Sequence, residues 1–248
     1  MTIIFLHLPK TGGTSVDKLI SKCIVENKLK SLSIHNGNIL DLQSKPISFY
    51  ETFDYIHIHA CVIKARYEIS NFIRKQPSNC FTVFRFPSDY FESFWRHSTQ
   101  IEPQAWPSSP NILNLHERFD DINSCIEALS TSQSKTVDFN NQLIKEYLGL
   151  RRMFIGQLEQ LRYLMGLNQH PTSADLNWFI LEDPNLDNKL RNYLGSKLGF
   201  NLETRLSKFN TTKNSSISKL TLQSIQRLGV IYKNDVLKYL ELSKEIDC

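Results

Sequence analysis

The sequence is short of the features that mark several classes of protein. It has 29 basic and 25 acidic residues, and this net charge of +4 is too small an excess to indicate a nucleic-acid-binding surface. No stretch reaches the roughly 18 consecutive apolar residues that a membrane-spanning helix needs. Met1 is not followed by a basic, apolar leader. We therefore expect a soluble, cytoplasmic protein that engages neither membrane nor nucleic acid.

Cysteines are few and far apart. The five cysteines include no C-x-x-C pair, a spacing typical of zinc ribbons and redox motifs, so neither is expected. A chain of 248 residues buries a sizeable core without disulfide or metal staples. We expect reduced, buried thiols at all five positions. The cysteines are Cys23, Cys61, Cys80, Cys125 and Cys248.

Apolar patterning predicts one α/β domain over residues 1–248. Residues 3–8 form a nearly continuous apolar run, typical of a strand that is buried on both faces of a parallel sheet. From Val16 to Ile24 the apolar residues recur at helical spacing. A second strand, helix and strand follow, which predicts a parallel crossover and a central sheet flanked by helices. These later strands cover 53–59, 80–84 and 153–155. The later helices cover 62–73, an aromatic-rich segment after Pro87 that includes 90–95, 122–129, 139–148, 158–167 and 220–242.

The turn after the first strand, PKTGGTS at residues 9–15, has the composition of an anion site. Backbone N–H groups and the helix dipole at a helix N-terminus attract phosphate or sulfate. Gly12 and Gly13 let the backbone approach a ligand closely, and Lys10 adds a positive charge. An ordinary capped turn is the alternative, but the lysine and the hydroxyl groups favour an anion site. The hydroxyl donors are Thr11, Thr14 and Ser15.

The order of residues in this turn differs from the P-loop of nucleotide triphosphatases, where the lysine follows the glycines. The stretch FLHLPKTGGTS instead resembles the 5′-phosphosulfate loop of sulfotransferases that use 3′-phosphoadenosine-5′-phosphosulfate (PAPS). The resemblance implies a three-layer, P-loop-like domain in which residues 10–15 bind the donor. It also implies that Lys10 contacts the bridging oxygen and the leaving phosphate.

A second stretch, FTVFRFPSDYFESFW, resembles the 3′-phosphate site of the same family. Arg85, Pro87 and Ser93 match its pattern, with the serine eight residues after the arginine. A guanidinium fork and a hydroxyl suit one phosphate group. The family often has an aspartate after the arginine and a second arginine three residues after the proline. Phe86 and Tyr90 stand there instead, which implies a weaker electrostatic environment for the phosphate.

Weaker similarities to the family extend along the chain. Residues 154–159 resemble a strand-to-helix segment late in the family's domain, and residues 210–213 resemble a polar loop that closes over the adenosine. The second similarity implies that Thr212 and Lys213 contact the donor. Three further residues, Tyr232, Asp235 and Tyr239, resemble positions of the family's closing helix.

The segment His57-Ile58-His59 predicts the catalytic base. It places two imidazoles on one strand face near a carboxyl end, where α/β sites lie. This H-x-H pair resembles that of the uronyl 2-O-sulfotransferases, which implies that His59 is the general base, that His57 supports it, and that the acceptor is a carbohydrate hydroxyl. A metal pair and core histidines are alternatives. Other candidate bases are Glu51, Asp54 and His7.

The sequence thus predicts an enzyme that transfers a sulfuryl group from PAPS to a hydroxyl without a metal. A kinase with an altered phosphate loop is an alternative, although the P-loop lysine and an evident magnesium carboxylate are lacking. A non-catalytic nucleotide-binding module is another alternative. The proline-containing stretch 101–115, with Trp106, is a candidate acceptor groove or lid.

Overall fold

The protein divides into two compact units in a computed structural model. The structure describes residues 1–35, 39–42, 45–59, 67–100, 119–134, 155–200 and 219–244. The first unit comprises Met1–Arg85, Gln157–Thr211 and Tyr239–Cys248, and the second comprises Phe86–Gly156 and Thr212–Lys238. The single domain expected over 1–248 stays a prediction, and each unit is described in turn.

A five-stranded sheet forms the centre of the first unit. Its strands are β1 (Ile3–His7), β2 (Ser31–Ile34), β3 (Tyr55–His59), β4 (Cys80–Phe84) and β5 (Asn177–Ile180). They lie in the order β2-β3-β1-β4-β5, and each neighbouring pair is parallel. The first strand therefore lies between the strand that carries the two histidines and the strand that leads to Arg85.

Helices connect these strands and build the second unit. In chain order they are α1 (Gly13–Glu26), α2 (Ile39–Leu42), α3 (Ile47–Tyr50), α4 (Tyr67–Arg74), α5 (Pro87–Gln100), α6 (Ile122–Ser134), α7 (Gln157–Met165), α8 (Leu186–Leu198), α9 (Leu222–Ile231) and α10 (Lys233–Ser243). None of these described helices combines the length and the apolar character needed to cross a membrane.

Each face of the sheet buries its own apolar cluster. On one face, Ile4, Leu6 and Ile56 pack with α4 and α7. On the other face, Phe5 and Phe81 pack with α1 and α8. Alternate side chains of a strand point to opposite faces, so a central strand that is apolar throughout needs helices on both sides. The predicted three-layer α/β class is confirmed.

Several predicted elements differ from the observed ones in their bounds. The strand expected over 53–59 begins at Tyr55, and the helix expected over 220–242 is two helices, which Tyr232 separates. The strands β2 and β5 and the helices α2, α3 and α8 were not predicted from the sequence. The helix expected over 139–148 and residues 153–154 of a predicted strand lie outside the described residues.

The second unit has an aromatic core. Tyr90, Phe91 and Trp95 of α5 are buried there with apolar residues of α6 and α9. Tyr90 occupies the position at which the sulfotransferase pattern often has an arginine, and its side chain is almost fully buried. The aromatic residues of α5 therefore form part of a core and not a charged surface. At the start of α9, Thr221 Oγ1 accepts a hydrogen bond from the backbone N–H of Ser224.

Three cysteines are buried as free thiols: Cys23, Cys80 and Cys125. Burial raises the pKa of Cys80 to about 12, so this thiol stays protonated and unreactive near neutral pH. Cys61 and Cys248 lie outside the described residues.

Candidate active site

The turn between β1 and α1 has a tightly held backbone. Thr11 is buried, and its Oγ1 donates a hydrogen bond to the carbonyl of Leu8 over 2.9 Å. Gly12 has a φ of 78°, and α1 begins at the next residue without a side-chain cap. Lys10 has a φ of 64°, a left-handed conformation that is uncommon for residues with a Cβ. Strain of this kind concentrates at functional sites, where the surrounding structure enforces it.

The first turn of α1 has open backbone donors. The N–H groups of Ser15 and Val16 donate to the carbonyl of Gly12 over 2.9 Å and 3.3 Å. Within the described residues, the N–H groups of Gly13 and Thr14 have no protein acceptor. A helix N-terminus in this state attracts an anion, because the open donors and the positive end of the helix dipole act in the same direction.

Arg85 lies beside this turn because β4 is the neighbour of β1 in the sheet. It directly follows β4, and its Nη1 donates a hydrogen bond to the carbonyl of Lys10 over 3.1 Å. The buried side-chain amide of Gln157 accepts from the Arg85 backbone N–H over 2.9 Å. The same amide donates to the Arg85 carbonyl over 2.7 Å. These bonds fix the backbone from which the guanidinium extends.

Two cations therefore lie close together at the carboxyl ends of β1 and β4. Burial, and after it the charge of Arg85, lowers the pKa of Lys10. Glu182 Oε1 lies 3.6 Å from Arg85 Nε, and Glu182 Oε2 accepts a hydrogen bond from Tyr239 over 3.3 Å. Arg85 Nε is buried and has no hydrogen-bond partner among the described groups. A bound anion would stabilise both cations and would provide acceptors for the guanidinium.

Three imidazoles meet at the carboxyl ends of β1 and β3. In the parallel register Phe5 pairs with His57 and His7 pairs with His59, so these side chains share one face of the sheet. His7 Nδ1 is hydrogen-bonded to His57 Nε2 over 2.8 Å, and the ring centroids of His7 and His59 are 4.5 Å apart. His57 Nδ1 lies 3.1 Å from Oδ1 of Asp17, in the first turns of α1. We call these three rings the imidazole cluster.

Burial keeps two rings of the imidazole cluster uncharged. Burial, followed by His59, His57 and Lys10, holds the pKa of His7 well below its ordinary value. Burial, followed by His57 and His35, lowers the pKa of His59 to about 4. Both rings are therefore neutral at neutral pH, and each has one ring nitrogen with a lone pair. A neutral imidazole can accept a proton, as a general base must.

Gly13 joins the imidazole cluster to the turn. A Cβ at this position would lie 1.9 Å from both Nε2 and Cδ2 of His7, so only glycine leaves room for the ring. At Gly12 a Cβ would lie 2.6 Å from Leu181 Cδ1, and the positive φ independently favours glycine. The sequence predicts that both glycines allow a ligand to approach the backbone, and in the structure each also has a close protein neighbour.

The structure brings most of the predicted site residues to the carboxyl-terminal end of the sheet in the first unit. These are Lys10, Thr11, Gly12, Gly13, Thr14, Ser15, His57, His59 and Arg85. Ser93 belongs to the second unit, where it is half-buried on α5, and its pairing with Arg85 stays a prediction. Thr212 and Lys213 lie outside the described residues.

The three other candidate bases lie at different places in the fold. His7 lies in the imidazole cluster. Asp54 precedes β3, at the opposite end of this strand from His59, and its Oδ2 accepts a hydrogen bond from the Lys30 backbone N–H over 2.8 Å. Glu51 also precedes β3 in the chain. Asp54 thus stabilises the entry to β3 and lies away from the turn at residues 9–15, which we call the anion turn after its predicted ligand.

Three site residues were missed in the sequence analysis: Asp17, Gln157 and Glu182. Asp17 and Glu182 belong to no recognised motif, and Gln157 lies in the segment 154–159 that resembles the family but had no role assigned to it. Each of the three contacts a residue that is distant in the sequence. Asp17 is four residues after Gly13, which places both on one face of α1, and this spacing is the signal that could have found it. Among the residues that the structure describes, no three metal-ligating side chains converge on a possible metal site.

No protein-family model matches the chain, and no curated protein matches it either. The resemblance to PAPS-dependent sulfotransferases therefore rests on the motifs in the anion turn, the H-x-H strand and the arginine strand.

Proposed function

We propose that this protein is a sulfotransferase that transfers a sulfuryl group from PAPS to a hydroxyl, with a carbohydrate as the acceptor. The observation that carries the proposal is the contact between Arg85 and Lys10 beside the open N-terminus of α1. Glu182 pairs with Arg85, but burial and the neighbouring charge of Arg85 still lower the pKa of Lys10, so an anion bound beside Lys10 would be favourable. A donor with separate 5′-phosphosulfate and 3′-phosphate groups supplies anions for both.

In the proposed reaction, the acceptor oxygen forms a bond to sulfur while the bond from sulfur to the bridging oxygen breaks. The products are the sulfate ester and adenosine 3′,5′-bisphosphate. Negative charge grows on the bridging oxygen, and Lys10 with the open N–H groups of α1 stabilises it. The proton of the acceptor hydroxyl passes to an imidazole, and the resemblance indicates His59 for this role.

The specificity for the 3′-phosphate is assigned to Arg85 and Ser93 on the resemblance of this stretch. Gln157 supports that assignment, since its two hydrogen bonds hold the Arg85 backbone at the end of β4. Thr212 and Lys213 are assigned to the adenosine on the resemblance alone. The acceptor class likewise rests on the H-x-H resemblance.

A comparison of three nucleotides by thermal unfolding tests the proposal. Adenosine 3′,5′-bisphosphate should raise the unfolding temperature most, because a ligand that binds only the folded state stabilises it by about 2.7 kcal/mol at a hundredfold excess over Kd. ADP and ATP should do less, because neither has a 3′-phosphate. An ATP shift that exceeds the bisphosphate shift and depends on magnesium would favour a kinase instead. Equal shifts for all three would contradict the assignment of Arg85.

A further inference from the structure

A chain of contacts runs from the surface of α1 into the imidazole cluster. Asp17 Oδ1 lies 3.1 Å from Nδ1 of His57, and Nε2 of His57 is hydrogen-bonded to Nδ1 of His7 over 2.8 Å. The Asp17 side chain is 38% exposed, the His57 side chain is 12% exposed and His7 is 7% exposed. The chain ends at Nε2 of His7, which lies against Gly13 in the first turn of α1.

The charge of Asp17 sets the proton positions along this chain. A carboxylate only accepts hydrogen bonds, so the neighbouring Nδ1 of His57 carries a proton. With this proton on Nδ1, the Nε2 of His57 can accept the hydrogen bond from Nδ1–H of His7. Because neutral His7 has its proton on Nδ1, its Nε2 is unprotonated. The unprotonated Nε2 of His7 thus lies beside Gly13, in the turn between β1 and α1.

We propose that Asp17, His57 and His7 form a proton relay, in which His7 Nε2 receives the proton of the sulfuryl acceptor and Asp17 is the positioning residue. The catalytic part of this inference rests on the proposed function. As the acceptor oxygen bonds to sulfur, its proton moves to Nε2 of His7, and the Nδ1 proton of His7 moves to Nε2 of His57. His57 then holds a proton on each nitrogen, and its positive charge lies beside the Asp17 carboxylate.

The relay explains why a ring as buried as His7 can serve as a base. A positive charge on His7 itself is disfavoured by burial and by the neighbouring His59, His57 and Lys10, which lower its pKa. The relay moves that charge to His57, the ring with a carboxylate neighbour. This assignment differs from the one that the H-x-H resemblance implies, which gives the proton to His59.

The test combines a tautomer measurement with kinetics in Asp17→Asn. Glu26→Gln is the matched control, because it removes a carboxylate from the same helix at an exposed pair with Lys22. In the ¹⁵N-histidine-labelled wild type, NMR should find a proton on Nδ1 of His57 and on Nδ1 of His7, and no proton on Nε2 of His7. Asp17→Asn should alter this pattern and lower kcat by about 10- to 100-fold, with unchanged affinity for adenosine 3′,5′-bisphosphate, and Glu26→Gln should change neither.

Three results would overturn the relay. The first is a wild-type His7 protonated on Nε2, and the second is an Asp17→Asn variant with wild-type tautomers. The third is an Asp17→Asn variant that keeps full kcat while His59→Ala loses about 10²- to 10⁴-fold, which would return the proton to His59. The tautomer measurement needs no substrate. Failure of nucleotide binding would therefore refute the proposed function while NMR still decides the proton positions.

Discussion

The guanidinium of Arg85 donates a hydrogen bond to the backbone carbonyl of Lys10 over 3.1 Å and so ties the end of β4 to the turn after β1. The two residues are far apart in the sequence, and the order of the strands makes them neighbours. Lys10, whose carbonyl accepts this bond, also has a positive φ of 64°. The same contact thus brings two cations together and accompanies the strained conformation of one of them.

Replacement of Gly13 by alanine should destabilise the protein and displace His7. The added Cβ would meet the imidazole at 1.9 Å, so the ring or the helix must move, and overpacking of this kind costs about 1–3 kcal/mol. Chemical denaturation measures the loss. Gly229→Ala is the control: it lies inside α9, its Cβ would meet nothing within 4 Å, and alanine there should stabilise by up to ~1 kcal/mol. Equal effects of both substitutions would show that His7 does not occupy this space.

Two substitutions at Lys10 separate its charge from its backbone strain. Both Lys10→Ala and Lys10→Gly remove the ammonium group, but only glycine adopts a φ of 64° at little cost. Lys10→Gly should therefore be more stable than Lys10→Ala by about 1 kcal/mol. Both should lower kcat more than nucleotide affinity, because charge on the bridging oxygen grows in the transition state. A rise in KM alone would contradict the role proposed for the ammonium group.

The free energy of unfolding should increase as the pH rises from about 4 to about 6.5, which is the ordinary pKa of histidine. The pKa of His59 is lowered to about 4 in the folded protein, so the unfolded chain binds more protons than the folded one in this window. The stabilisation is therefore complete above the unfolded pKa and is lost as the pH falls through the window. Urea unfolding at several pH values measures this slope. The slope should become shallower in His59→Ala, and an unchanged slope would contradict the buried, neutral state of this ring.

Buried central elements could be predicted from the sequence, and edge elements could not. The strands β1 and β4 are fully buried and read as continuous apolar runs, which made them visible. In the edge strand β2 only Ile34 is buried, and in the edge strand β5 only Ile180 is buried. Each has only four residues, SLSI and NWFI, so the alternation in the first and the apolar run in the second are too short to identify a strand, and pairing with a neighbour defines both.

Some residues of the candidate site could likewise be predicted from the sequence, and others could not. Lys10 and Arg85 each lie in a recognisable motif, and both were found from the sequence. Asp17 and Gln157 each contact one residue, and only the strand order and helix packing bring that residue near. His7 was a secondary candidate because the sequence does not reveal that its register partner is His59. The contacts between these motifs could be identified only from the structure.

The most direct test of the proposed donor site is calorimetric titration of wild type and Arg85→Ala with adenosine 3′,5′-bisphosphate and with ADP. Hydrogen bonds to charged groups contribute about 1.5–3 kcal/mol each, so the wild type should bind the bisphosphate at least 10-fold more tightly than ADP. In Arg85→Ala the two affinities should become nearly equal, mainly through the loss of bisphosphate binding. Equal binding of both nucleotides by the wild type would contradict the proposed donor site. A preference for the bisphosphate that survives in Arg85→Ala would contradict it as well.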